Sequence, residues 1–371
     1  MENKEFKKSF EALLEKEKKE IQKPNLLIVG GTGVGKSSLV NLVFGKDLAK
    51  VGNGAPVTKG INRYEVANFP LVLYDAEGYE ITSSGGLDNG NFEMNVIPKI
   101  EEMNNKNLKD QIHIVWYCIS ITNHRVTDYD LKNIEYFIKH NMKIAVVFTQ
   151  CDNDDVDCSG AISFRKVIQE KNSKIPCFET CATDTNLLLD LEKLIGWSTE
   201  ALPNEQLKLS FMQAQKASIS EKKKYAYGVV ANSVATTATT ACLNPFPLSG
   251  ALLIAPQQML MCSAINRIFW LNSGLSQTLK DILKTQFLSF TGKQMVASLS
   301  KLFPLIGQII NAGVAGAITG AFGVALVESY AIALKAYLED GILPDWTKIF
   351  SSSFFMDMIK EAFNNKPWEN K

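Results

Sequence analysis

Gly30-Gly31-Thr32-Gly33-Val34-Gly35-Lys36-Ser37 is a complete G-x-x-x-x-G-K-S run. Before it, Asn25-Leu26-Leu27-Ile28-Val29 reads as a short buried strand, and after it Ser38-Leu39-Val40-Asn41-Leu42-Val43-Phe44 reads as an amphipathic helix. Strand, glycine-rich turn and helix are the setting in which successive backbone N–H groups converge on phosphate oxygens at the positive end of a helix. The run therefore predicts a nucleoside triphosphate site built by Gly30, Thr32, Gly33, Val34, Gly35, Lys36, Ser37 and Ser38. Lys36 is expected to reach the β- and γ-phosphates and the Ser37 hydroxyl to ligate Mg²⁺.

The loop does not choose between ATP and GTP, so the choice rests on segments further along. Phe69-Pro70-Leu71-Val72-Leu73-Tyr74 is strand-like and ends at Asp75-Ala76-Glu77-Gly78, a D-x-x-G in which Asp75 serves Mg²⁺ and the Gly78 N–H reports the γ-phosphate. Thr58, in the Gly/Pro-rich stretch Ala55-Pro56-Val57-Thr58-Lys59-Gly60, reads either as an ordinary loop threonine or as a hydroxyl that a mobile loop carries to the metal. Lys143-Ile144-Ala145-Val146-Val147-Phe148 is another apolar strand, ending at Thr149-Gln150-Cys151-Asp152. The Asp152 carboxylate accepts from the N1–H and exocyclic amine of guanine, a pair that adenine does not offer. Pro176-Cys177-Phe178-Glu179-Thr180-Cys181-Ala182 adds a strand and a Thr-Cys-Ala turn, with Cys181 and Ala182 placed to contact the base.

Together these segments resemble the G domain of TRAFAC-class GTPases of the Era/septin-like and immunity-associated kind over about residues 24 to 199. The runs Val115-Trp116-Tyr117-Cys118-Ile119 and Asn123-His124-Arg125-Val126-Thr127-Asp128-Tyr129-Asp130 share that likeness, which implies GTP/GDP and Mg²⁺ as ligands. Three departures matter. Gln150 stands for the Lys of [N/T]-K-x-D, Ala76 stands where many relatives have Thr, and Tyr79 stands where Ras-type proteins carry the Gln that orients the attacking water, while the Thr-Cys-Ala turn resembles S-A-K. Thr32 crowds the space an arginine finger uses, and Gly33 replaces the Asn of K⁺-assisted relatives. These residues imply slow intrinsic hydrolysis completed by a partner surface, such as a second G domain facing the first across the nucleotide. Arg63 and Arg125 read either as transition-state stabilisers or as surface arginines.

Strands near 25–30, 61–68, 69–75, 111–119, 143–149 and 175–180 alternate with helices, which predicts an α/β P-loop GTPase domain with a mostly parallel sheet and helices on both faces. Residues 3 to 23 carry Phe6, Phe10, Leu13, Leu14 and Ile21 at helical spacing among alternating Lys and Glu, and Pro24 ends them. This amphipathic segment, 1–23, reads as a packed helix or a coiled-coil arm. After Leu202-Pro203 the strand signals stop, so the limits are 24–199 for the G domain and 200–371 for an all-α, hydrophobic helical domain.

No Asp, Glu, Lys or Arg occurs from Tyr225 to Asn266 or from Leu302 to Val327, and the second stretch interleaves Gly313, Gly316, Gly320 and Gly323 with alanines. Small residues at that spacing let helices approach closely, in membranes among other places. Pro245, Pro247, Pro256, Asn232, Gln257 and Gln258 in the first stretch, and Pro304, Gln308 and Asn311 in the second, fit a buried helical domain as well as a membrane-engaging one. Leu243 to Met259 with Phe303-Pro304-Leu305-Ile306-Gly307 is similar to a helical domain of unknown function that follows bacterial Era-like G domains. The overall plan also resembles immunity-related and dynamin-like GTPases.

The 371 residues carry no formal net charge, which argues against a general attraction to nucleic acid. Seven cysteines without C-x-x-C pairs and a charged N-terminus fit a cytoplasmic protein, membrane-associated if the helical part engages lipid. The three histidines, His113, His124 and His140, offer no metal-ligand spacing.

Overall fold

A computed structural model describes residues 22–45, 55–58, 60–67, 69–76, 92–183, 189–242, 250–269, 312–341 and 353–369. The expectations for Gly78, Tyr79, the segment 1–21, the run 243–249 and residues 302–311 lie outside them. The chain forms two compact units, one of Ile21–Ser218 and one containing Ile219–Lys371.

The first unit is built on a seven-stranded sheet of β1 (Asn25–Gly30), β2 (Ala55–Thr58), β3 (Ile61–Glu65), β4 (Val72–Ala76), β5 (Ile114–Ser120), β6 (Ile144–Thr149) and β7 (Cys177–Glu179). Their spatial order is β2-β3-β4-β1-β5-β6-β7. Strands β4, β1, β5, β6 and β7 run parallel, and β2 and β3 add an antiparallel edge. The central parallel strands β1, β5 and β6 are almost wholly apolar, as strands covered on both faces tend to be. Six of the seven correspond to strand signals in the sequence. The seventh, β2, falls where a loop was expected: Thr58 ends an edge strand with its backbone opposite Ile61. Pro56 is compatible with that edge position, where a missing N–H leaves no ladder partner unsatisfied.

Side chains alternate between the two faces. One face presents Leu27, Tyr74, Val115, Tyr117, Val146 and Phe148 to α2 (Ile97–Asn104), α3 (Asp128–Lys139) and α4 (Ser159–Lys171). The other presents Trp116, whose ring stacks on Phe44 of α1 (Lys36–Phe44) and whose Nε1 donates to Ser198 of α5 (Leu191–Ala201) at 2.9 Å. Phe44 in turn meets Phe211 of α6 (Glu205–Ala214) edge to face. Helices α5 and α6 lie within this first unit, which continues beyond the position near 200 at which strand signals stop.

The second unit contains α7 (Ile219–Cys242), α8 (Gly250–Ile268), α9 (Ala312–Asp340) and α10 (Ser353–Asn365). The glycines of α9 are contact points: a Cβ on Gly320 would lie 2.6 Å from the Trp368 ring, and one on Gly323 would lie 2.7 Å from Val230 and 2.8 Å from Met261. Phe322 meets Phe355 edge to face, and Phe269 stacks on Tyr330. Several polar side chains in this apolar unit are paired, as burial favours, while the buried Thr237 hydroxyl has no partner among the described residues. Gln258 Nε2 donates to Thr319 Oγ1 at 3.2 Å, Tyr330 OH donates to Asn266 Oδ1 at 3.0 Å, and Lys223 Nζ lies 2.8 Å from Glu328.

Candidate functional site

The glycine-rich loop leaves the end of β1 under two steric constraints. Gly30 has φ 150°, and a Cβ there would sit 2.3 Å from the carbonyl oxygen of Cys118, its partner on β5. Gly35, in the left-handed region at φ 89°, precedes α1 and supplies no side-chain cap. The first-turn N–H groups of α1 are therefore open to an anion at the positive end of the helix. Lys36 Nζ donates to the carbonyl oxygens of Gly30 and Gly31, each at 2.9 Å, so the ammonium lies over the loop. Val34 is buried, whereas Thr32, Gly33, Ser37 and Ser38 are exposed.

Asp75 stands opposite Ile28 in the β1–β4 pair, on the sheet face that carries α1. Burial, opposed by the Lys36 ammonium and reinforced by the Asp75 carboxylate, pushes the Cys118 thiol up to about 12. Tyr64, on β3, also faces Asp75: burial and then that carboxylate raise its phenol above the ordinary value. Ser37 and Asp75 are hard oxygen donors suited to Mg²⁺, which binds through one or two protein oxygens and phosphates. Among the described residues no group of three or more His, Cys, Asp or Glu side chains is arranged to hold a metal.

The base-side elements are tied to the loop by Thr149. Its hydroxyl donates to Val34 O at 2.5 Å, fixing the end of β6 against the glycine-rich turn. Gln150 adopts φ 57°, and its Oε1 accepts from the Ser120 hydroxyl and from Thr122 Oγ1. Asp152 is exposed, and its Oδ2 accepts from Thr183 Oγ1 at 2.6 Å. Thr183, aided by the Cys181 thiol, holds that carboxyl below the ordinary value against the opposing cost of desolvation. Cys181 is buried, and Ala182 is half-buried beside it. The turn is locked to β6, because the N–H and hydroxyl of Thr180 both donate to Phe148 O and the Cys151 N–H donates to Thr180 O.

The two arginines fare differently. Arg63 pairs with Tyr74 across β3–β4, which puts it on the sheet face opposite Asp75, where it bonds the Tyr74 hydroxyl and Glu65. The structure therefore does not bring Arg63 to the phosphate loop. Arg125 is exposed after β5, on the carboxyl edge of the sheet that also carries the loop. Ser120, Thr122 and Thr183 are site residues that motif reading missed. The sequence signal for Thr183 is its place directly after the Thr-Cys-Ala turn.

A protein-family model described as a 50S ribosome-binding GTPase matches residues 25–150. The probable GTP-binding protein EngB of Aquifex aeolicus is 33% identical over 129 residues, 35% of this chain and 67% of that protein. The chain belongs to the EngB-like family of GTP-binding GTPases. The EngB protein of Methanococcus aeolicus is 43% identical to it over 82 residues, 21% of this chain. The chain spans only 35% of the length of that relative. A crystal structure of a probable GTP-binding protein engB aligns with 48% of this EngB-like chain and 97% of its own, at 16% identity and a TM-score of 0.35.

Proposed function

We propose that this chain binds GTP with Mg²⁺ and hydrolyses it to GDP and phosphate as a nucleotide-dependent switch. The observation that carries the reading is one edge of the sheet on which Lys36, the uncapped start of α1, Asp75 and the Thr183-held Asp152 stand together around a loop pinned by Thr149. Lys36 leaves the loop carbonyls for phosphate oxygens, the α1 N–H groups bind phosphate, and Asp152 selects guanine. Ser37, Thr58 and Asp75 would hold Mg²⁺, which would compensate phosphate charge. Water attacks the γ-phosphorus and the bond to the bridging oxygen breaks, leaving GDP and phosphate. With Tyr79 in the place of a water-orienting Gln, turnover is slow, and a second copy of the unit facing the first completes the site, with Arg125 the better placed of the two arginines to contribute. Gly78 reports the γ-phosphate, and the helical part after residue 199 carries the output by self-assembly or by engaging a protein or membrane partner.

Exchange of Asp152→Asn tests the base assignment. An Asn amide donates to the O2 of xanthine and no longer accepts the guanine amine, so affinity moves from GTP to XTP. Equal GTP affinity in the variant removes Asp152 from the site. A second reading, a GTP-dependent scaffold that retains nucleotide without appreciable turnover, is favoured by Tyr79 and Thr32. It predicts GTP retention with no phosphate release at high protein concentration. The membrane form of the output, including remodelling of the dynamin kind, is favoured by Gly316–Asp340, a helix of 25 residues long and apolar enough to cross a bilayer. Most of that helix is buried within its own unit, as a soluble core helix would be. The account assigns the protein to the cytoplasm, with lipid contact conditional on GTP.

A further inference from the structure

Thr183 has no part in the phosphate chemistry, yet it makes the closest side-chain contact to the base-reading carboxylate. Its hydroxyl donates to Asp152 Oδ2 at 2.6 Å, and the Cys181 sulfur lies 3.2 Å from the same hydroxyl. The turn that carries it is held to β6 through Thr180, so the hydroxyl acts from a fixed backbone. The distance is that of a charge-assisted O–H···O⁻ bond, the stronger kind.

An exposed Asp rotates about two torsions, whereas recognition of guanine requires both oxygens to lie in the plane of the base. One bond to Oδ2 restricts that rotation and consumes one lone pair, leaving one on Oδ2 and two on Oδ1 for N1–H and the exocyclic amine. The Gln150 side chain turns its Oε1 towards the Ser120 and Thr122 hydroxyls. A short hydroxyl side chain directly after the Thr-Cys-Ala turn is what reaches the carboxylate here.

Resting on the GTP reading above, we propose that Thr183 is the positioning residue for guanine selection, its hydroxyl setting the plane of the Asp152 carboxylate. It acts through Asp152 and so sets discrimination by the exocyclic amine more than affinity for the nucleotide as such.

Dissociation constants of GDP and of IDP, whose base lacks the N2 amine, on the full chain with Mg²⁺ test this in the wild type, T183V, T183S and D152A. Thr183 is exposed and Val has nearly its shape, so the melting temperature of T183V should match the wild type. The expected result is a loss of GDP affinity of about tenfold in T183V, the effect of one charge-assisted bond, with a smaller loss for IDP. The GDP/IDP preference then narrows, and T183S restores both constants to within about twofold. An unchanged GDP/IDP preference in T183V overturns the proposal, whether both affinities hold or both fall together. If D152A binds GDP as the wild type does, the guanine reading itself fails, a result distinct from an unaltered T183V beside a defective D152A.

Discussion

Lys36 bonds two loop carbonyls from a half-buried position, so a nucleotide gains the ammonium only by replacing those bonds with stronger ones to phosphate. Lys36→Ala should leave the fold intact and weaken GTP and GDP on the order of a hundredfold, the effect of two charge-assisted bonds, readable by titration calorimetry. His113 makes a second residue-level prediction. Burial lowers its ring to about 4, and its Nδ1 accepts the Asn25 N–H at the start of β1. A histidine whose folded value lies below its unfolded one favours unfolding when it gains a proton. Stability should therefore be complete above about pH 6.5 and fall by about 3 kcal/mol as pH drops towards 4. His113→Asn keeps an acceptor without the titration, and denaturation at pH 7 and pH 4.5 should show a smaller difference for it.

What was legible in the sequence is the strand ends that carry the candidate residues: the loop after β1, Asp75 on β4, Thr149 ending β6 and Asp152 beyond it. Relations set by pairing across the sheet were not legible. The β3–β4 register decides which face Arg63 occupies, and the β5–β6 pair brings Ser120 beside Gln150 across a separation of 30 residues. Neither relation leaves a local pattern.

At the scale of elements, α3 and α9 show two ways of holding a helix. Helix α3 begins with a capping box in which the Thr127 hydroxyl accepts the Asp130 N–H and Asp130 accepts the Thr127 N–H. Buried Asp130 also accepts from Tyr117 on β5, which fastens the helix start to the sheet. Helix α9 carries polar bonds such as Gln258 to Thr319, and its glycines add close approach to neighbouring side chains. The Gly316 and Gly320 spacing reads equally as a membrane interface in the sequence, but here its glycines meet Val234 and Trp368 of the same unit. Gly320→Ala and Gly323→Ala should each cost about 1–3 kcal/mol through overpacking, seen as a lowered denaturation midpoint, while GDP affinity stays at the wild-type value.

For the molecule as a whole, the question is what the helical unit does with nucleotide state. Glu328 lies inside the long apolar helix and is bonded by Lys223 and Tyr227, and a carboxylate is costly in lipid. The GDP-loaded chain should therefore remain in the aqueous fractions of a liposome flotation experiment; flotation in GDP would mean that this helix engages lipid irrespective of nucleotide. Assembly is the consequence of the proposed completion of the site by a second copy. The most direct measurement is phosphate release from GTP, with ATP as control, over a wide range of protein concentration. The account predicts a GTPase activity per molecule that rises with concentration and negligible ATP turnover. Equal turnover of ATP, or no GTP hydrolysis at any concentration, would contradict it.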